Sequence, residues 1–309
     1  MHAPSVEMNL KARDRAKVLL ATLRQFEDCQ SIFLSPTDLQ AFGVEAYQVD
    51  IADDGVPQFE PRFFDPYPMG VLQKYPINAA GNNYDVRRFP YMPTLQDALA
   101  TVQESLPVSE DPLKAAQKLF EKRLKEYHFW DDHSHADFID NHIAYELSAV
   151  RDGGSPFLSL LDLGGSWETI PEEFPAMFET NQLRWKSELF VQDHDKTSPL
   201  PHAICTTIAG VDATLADQNL TLHEMRAIMR MIFLLLSFMG KQHGRIIQIV
   251  VKEGRIVVQY SKLWSFEVED TAPVELFIRY MLSRPVGLER PSSAGSRWRI
   301  DPVTGMPLA

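Results

Sequence analysis

Apolar residues recur at helical spacing through much of the amino-terminal half of the 309-residue chain, and crowd into β-branched runs towards its other end. The pattern predicts an α+β protein, with a helical amino-terminal half and a carboxy-terminal mixed or antiparallel sheet packed on helices. Local signals agree best between Thr221 and Leu282. Thr221-Leu-His-Glu224 has the spacing of a capping box, in which hydroxyl and carboxylate each satisfy a backbone N–H left open by the first turn. From Leu222 to Met239 only His223, Glu224, Arg226, Arg230 and Ser237 are polar, so the run predicts one central helix, covered on most sides, with Gly240 as its C′ residue. Two β-branched runs, 245–251 and 255–260, flank Lys252-Glu253-Gly254 and predict a hairpin. Both are apolar on both faces in their middles, which requires cover on both sides. Residues 273–282, with Pro273 in the first turn and Pro285 just beyond, predict the helix that supplies one of those layers.

Earlier in the chain, Leu10, Val18, Leu19, Leu23 and Phe26 form a broken stripe that predicts a helix over 7–26. A short strand is expected over 44–51, ending at Asp53-Asp54-Gly55. Residues 57–93 carry seven prolines among aromatics that demand burial. They predict a long ordered segment pinned by its rings, readable as a lid, a recognition surface or an arm wrapping the core. Helices are expected over 94–106, over 112–129 with Ser109 as N-cap, and over 138–150. Asp152-Gly-Gly-Ser-Pro156 breaks structure and marks an internal boundary. Beyond it, 157–163 and 183–191 suit strands and 172–180 a helix. The resulting organisation is a helical region over 1–152 containing the 57–93 wrap, an α/β module over 155–287 and a tail over 288–309; one compact domain is the alternative.

Composition narrows the function classes. Net charge is -12 with pI near 5.2, so no overall field favours a phosphate backbone and no nucleic acid is expected as partner. The densest basic run, 114–125, is interleaved with Glu121 and suits a solvated helix face. Cys29 and Cys205 stand far apart outside any CxxC pattern, which fits buried thiols in a reducing compartment, cytoplasmic or nuclear. Charges from Glu7 onward leave no uninterrupted apolar core for a secretory signal, and Arg226 and Arg230 interrupt the one long apolar run, so no membrane association is expected.

The most chemically loaded stretch is 128–142, which holds four of the nine histidines together with four aspartates. Imidazole plus carboxylate suits zinc or manganese. The candidate ligands are Asp131, His133, His135, Asp137 and His142, with His133 and His135 expected in a linker and Asp137 or His142 at the start of the next helix. Asp131-x-His133-x-His135 resembles the first-strand motif of amidohydrolase-like and polymerase-and-histidinol-phosphatase-like metalloenzymes, over five residues. In those barrels the motif ends an apolar strand, whereas here it follows an amphipathic helix. The same stretch also reads as a solvated turn with aspartate caps. Gly164-Gly165-Ser166 lacks the second glycine of a nucleophile elbow, and no phosphate-cradling glycine loop occurs.

Between residues 222 and 287 the order of helix, His243-Gly-Arg-Ile strand, glycine turn, strand, Ser261-Lys-Leu-Trp-Ser-Phe266, helix and Pro285-Val-Gly287 resembles uncharacterised proteins of filamentous fungi. More remotely it resembles the nuclease-like segment that precedes fungal-specific protein kinase domains. The resemblance implies a helix-hairpin-helix module and a fungal source, and carries over no catalytic residue. A nuclease of that type needs an Asp and a Glu-x-Lys on adjacent strands to hold magnesium. Gln248 and Gln259 stand where acids would be wanted. Two function classes remain: a non-enzymatic intracellular binding or regulatory protein with a protein partner and no cofactor, and a metal-dependent hydrolase built on the 128–142 cluster.

Overall fold

The computed structural model describes residues 17–26, 28–78, 80, 91–105, 111–152, 159–161, 167–169, 185–193, 203–231, 234–286, 299–300 and 307–308. Its helices are α1 (residues 17–26), α2 (Pro36–Ala41), α3 (Val71–Lys74), α4 (Leu95–Ser105), α5 (Pro112–Phe129), α6 (Asp132–Ser148), α7 (Ala213–Ala216), α8 (Leu222–Met231) and α9 (Val274–Met281). The strands are β1 (Phe33–Leu34), β2 (Val44–Gln48), β3 (Phe64–Asp65), β4 (Trp167–Thr169), β5 (Trp185–Asp193), β6 (Ala203–Asp212), β7 (Leu220–Thr221), β8 (Leu234–Gly240), β9 (His243–Lys252), β10 (Arg255–Tyr260), β11 (Trp264–Ser265) and β12 (Arg284–Pro285). An eight-stranded sheet runs β2-β10-β9-β8-β6-β5-β4, with β11 added to β9. It is mixed: β2 lies parallel to β10 and β6 parallel to β8, and the other pairs are antiparallel. Thus β2, from the amino-terminal half, is hydrogen-bonded into the sheet of the carboxy-terminal half. Arg299–Ile300 pairs with Pro307–Leu308 in the tail; the remainder of the tail, the 152–156 break beyond Asp152 and the helix expected over 172–180 lie outside the described residues.

Because successive side chains of a strand point to opposite faces, the apolar runs divide into two cores. Ile204, Ile208, Leu234, Leu236, Phe238 and Ile246 face α6, α9 and the 49–75 stretch. Cys205, Ala209, Leu235, Met239, Ile247, Ile249, Ile256 and Val258 face α1, α2 and α8. The expectation of cover on both sides of the hairpin is therefore met. Its tip is a two-residue connection in which Glu253 and Gly254 both have positive φ, as a type I′ turn requires.

The long central helix expected over 222–239 is corrected. Helix α8 ends at Met231, and Leu234–Gly240 is a fully buried strand between β6 and β9. A short apolar run reads equally as buried helix or buried strand, and here pairing on both edges decided it. Gly240 is accordingly no helix C′ residue: a Cβ there would fall 2.3 Å from Asp132 Cβ, so glycine is what lets the start of α6 settle on the end of β8. Three smaller corrections are local. Asp111, not Ser109, caps α5; Leu160 and Leu161 are helical where a strand was expected; and α6 begins at Asp132, six residues before the expected start at Phe138.

The described part of the 57–93 segment wraps the first core, as its rings suggested; residues 79 and 81–90 lie outside the described residues. Phe59, Phe64 and Tyr75 are buried in it, with Phe63 and Tyr67 packed alongside. Regular pieces are brief, β3 paired with β12 and the single turn α3. What fixes the path is a pair of amides. Gln248 and Gln259 are direct cross-strand partners on β9 and β10. Gln259 accepts from Glu60 N–H at 2.7 Å and donates to Glu60 C=O, while Gln248 donates to Pro61 C=O at 2.8 Å and accepts from Phe63 N–H at 3.3 Å. Further along, Arg151 donates to Tyr75 C=O and pairs with Glu146, joining the wrap to the end of α6.

On the opposite face of β9, Arg245 is the largest fully buried side chain among the described residues. It forms a two-pronged ion pair with Glu224 of α8, Nε to Oε1 at 2.7 Å and Nη2 to Oε2, and donates to the carbonyls of Ala216 and Asn219. Glu224 is the capping-box acid as well, accepting from Thr221 N–H at 2.7 Å and Thr221 Oγ1 at 3.0 Å. The Arg245→Met variant leaves a buried carboxylate without its cation and is expected to lose about 3–5 kcal/mol in chemical denaturation. Gln259→Ala exposes one donor and one acceptor of Glu60 to an apolar surface; an expected loss of about 1–3 kcal/mol, measured in the same way, would be contradicted by a midpoint that does not move.

Candidate functional site

The structure places the candidate ligands as follows. Asp131 is the N-cap of α6, accepting from Ser134 N–H at 2.8 Å and Ser134 Oγ at 2.6 Å. His133, His135, Asp137 and His142 all lie on α6 itself. Side chains two apart on a helix diverge by about 200°, so His133 and His135 leave opposite sides of it. His135 is buried with its ring 4.6 Å from that of Tyr127; Asp137 accepts from Asn141 Nδ2 at 2.9 Å; His142 meets Tyr91 edge-on at 6.4 Å. Among the described residues no group of three or more His, Cys, Asp or Glu is gathered as a metal site would require. The stretch expected to be a linker is the first two turns of a packed helix.

What this region does build is an elbow. Gly240 seats the start of α6, and the adjoining β8–β9 turn passes through Lys241 and Gln242, both with positive φ. Gln242 is fully buried and accepts from the Tyr127 hydroxyl at 3.1 Å; Glu267 lies 3.5 Å from the same oxygen. Burial first, and then Glu267, hold the Tyr127 phenol well above its ordinary range. The last turn of α5 is thereby pinned to the end of the sheet.

The rest of α5 leaves the body. It is an 18-residue helix, about 27 Å long. Its buried side chains are Ala116, in a small core shared with Ala98 and Val102 of α4, and Tyr127 at the elbow. Thr94 and Asp97 cap α4 reciprocally, and Asp111 caps α5. On the outer face Leu113 is 60% exposed, and at the elbow Phe129 is 83% and Trp130 46% exposed. Glu121, Leu124, Lys125, His128 and Phe129 line an open groove of about 430 Å³. Sequence reasoning passed over Phe129 and Trp130. No signal in the sequence separates these two rings from the buried aromatics: the consecutive Leu276, Phe277 and Ile278 of α9 are all buried.

No family model, curated protein or solved structure matches the chain. Among the described residues no helix is long and apolar enough to cross a membrane.

Two buried histidines, His135 and His223, and the half-buried His142 set the acid response. Burial lowers His135 and His142 against the opposing charges of Asp132 and Glu267 in one case and Glu146 in the other. His223, at the start of α8, is pushed down to about 4 by burial and then by Arg226. All three fold as the neutral ring. Between an unfolded value near 6.5 and their folded values the unfolded chain binds protons that the native chain does not, so stability present above pH 6.5 is lost as pH falls towards 4. Glu224 acts lower still: burial would raise its carboxyl, but Arg245 and the Thr221 N–H hold it below the ordinary range, so its contribution disappears as pH drops through that depressed value. Denaturation midpoints measured from pH 7 to pH 4 are expected to fall steadily, and His223→Phe to flatten the curve; an unchanged slope in that variant would refute the assignment.

Proposed function

We propose that this protein is a non-enzymatic binding protein whose interaction surface is the outer face of α5 together with Phe129 and Trp130. The observation that carries this reading is a phenylalanine 83% exposed beside an open groove, on a helix whose buried residues are confined to one small seam and one anchor. Aromatic residues of this kind, central to a patch and rimmed by charge, are where binding energy concentrates at protein interfaces. The free cysteines Cys29 and Cys205 support a reducing compartment, cytoplasm or nucleus. The likeness of residues 222–287 to filamentous-fungal proteins supports a fungal source and a scaffold role for that module, whose Gln248 and Gln259 hold the wrap.

In a quantitative pull-down with the full chain, a stoichiometric protein partner is expected. Phe129→Ala combined with Trp130→Ala should weaken its recovery by about 2 kcal/mol or more, roughly thirtyfold in affinity. Absence of any stoichiometric partner under several lysis conditions, or equal recovery by the double variant, would overturn the reading.

A further inference from the structure

We propose that the outer face of α5 docks an acidic amphipathic helix of the partner protein; the proposal rests on that face being the binding surface. At 3.6 residues per turn, Leu113, Gln117, Leu124 and His128 form one narrow strip along α5, and Lys114, Lys118 and Lys125 form a second beside it, with Phe129 closing its end. The four lysines Lys114, Lys118, Lys122 and Lys125 are exposed. Over the helix five basic side chains stand against two acidic ones, on a chain whose net charge is -12. A locally basic face on an acidic protein, with Glu121 set between its lysines, gives a net positive field within a Debye length of about 8–10 Å, and that field favours a ligand of opposite sign there.

Two parallel strips, one carrying Leu113 and Leu124 as its apolar points among Gln117 and His128 and the other basic, match a second helix with Leu or Phe at spaced positions on one face and with Asp or Glu flanking them, the arrangement by which helices pack side by side. The groove lined by Leu124, His128 and Phe129 takes the apolar anchor, and Lys118 and Lys125 meet the flanking carboxylates. Glu121, which lines the groove between the two strips, interrupts the positive face where a polyphosphate backbone or an anionic bilayer would need it continuous. This acid leaves a discontinuous pattern that a helix with spaced carboxylates can satisfy.

The test is selection of a displayed library of helix-forming peptides on the full chain, followed by fluorescence anisotropy of a synthetic selected peptide. Acidic sequences with apolar residues at helical spacing are expected. Their affinity should fall roughly tenfold or more with Lys118→Glu plus Lys125→Glu, recover when the peptide's acids are changed to lysine, and fall with Leu124→Ser. Unchanged thermal melting of these surface variants keeps any loss attributable to binding. The proposal is overturned by enrichment of neutral or basic peptides, by no enrichment, or by affinities indifferent to the substitutions. It is equally overturned if the lysine pair governs binding to phosphatidylserine vesicles or a single-stranded oligonucleotide, or self-association of the chain in sedimentation. A partner recovered by the Lys118→Glu, Lys125→Glu protein but lost with Phe129→Ala and Trp130→Ala would leave the binding surface standing and remove its acidic chemistry.

Discussion

The buried pairing of Glu224 with Arg245 is the constraint around which the rest of the molecule is arranged. A guanidinium and a carboxylate withdrawn from water are tolerated only where every remaining donor and acceptor is satisfied. Here the carboxylate also closes the first turn of α8, and the guanidinium also takes the carbonyls of Ala216 and Asn219 and lies 5.5 Å over the Tyr260 ring. Helix start, preceding turn and two sheet strands are thereby fixed to one another by a single side chain. The capping box alone would form in an isolated helix; its acid is at the centre of the fold because Arg245 faces it from β9.

Three residues further along β9, on the other face, Gln248 plays the corresponding part for the wrap. Its partners explain why amides stand where the nuclease resemblance would want acids. The wrap presents a carbonyl and an N–H at Glu60, a carbonyl at Pro61 and an N–H at Phe63. An ionised carboxylate only accepts, so acids at these positions would leave both carbonyls facing lone pairs, whereas an amide supplies the donor and the acceptor together. The identity of these glutamines follows from the backbone they hold.

Local chemistry was legible in the sequence and pairing was not. Helices α4, α5 and α9 fall close to their expected spans because caps, early prolines and apolar periodicity are written within each segment. The hairpin of β9 and β10 was legible for the same reason, through the glycine turn. The run after Met231 defeated the reading because its neighbours in space, β6 and β9, decide whether an apolar stretch becomes helix or strand, and β6 was not foreseen at all. The histidine cluster misled in a different way. Histidine and aspartate are metal ligands and equally helix-cap and helix-face residues, and composition carries no information on which way the side chains diverge once Asp132 begins a helix. Exposure at Phe129 was illegible because burial is decided by what else packs nearby.

That exposure follows from how the two cores are filled. Among the described residues the cores on the two faces of the sheet are packed by the chain's own helices and wrap, and α5 joins the body through the elbow at Tyr127. An isolated helix of this length is marginal in water. It is held here by the Asp111 cap, the shared seam with α4 and pairs such as Gln117 with Glu121 and Lys122 with Glu126. None of these uses the side chains of Leu113 or Phe129. A side chain outside these contacts that exposes large apolar area adds to the risk of association with whatever surface will cover it. The fold therefore holds α5 rigidly at one end and presents the remainder, and the stability of the body and the chemistry of the presented face can change independently of each other.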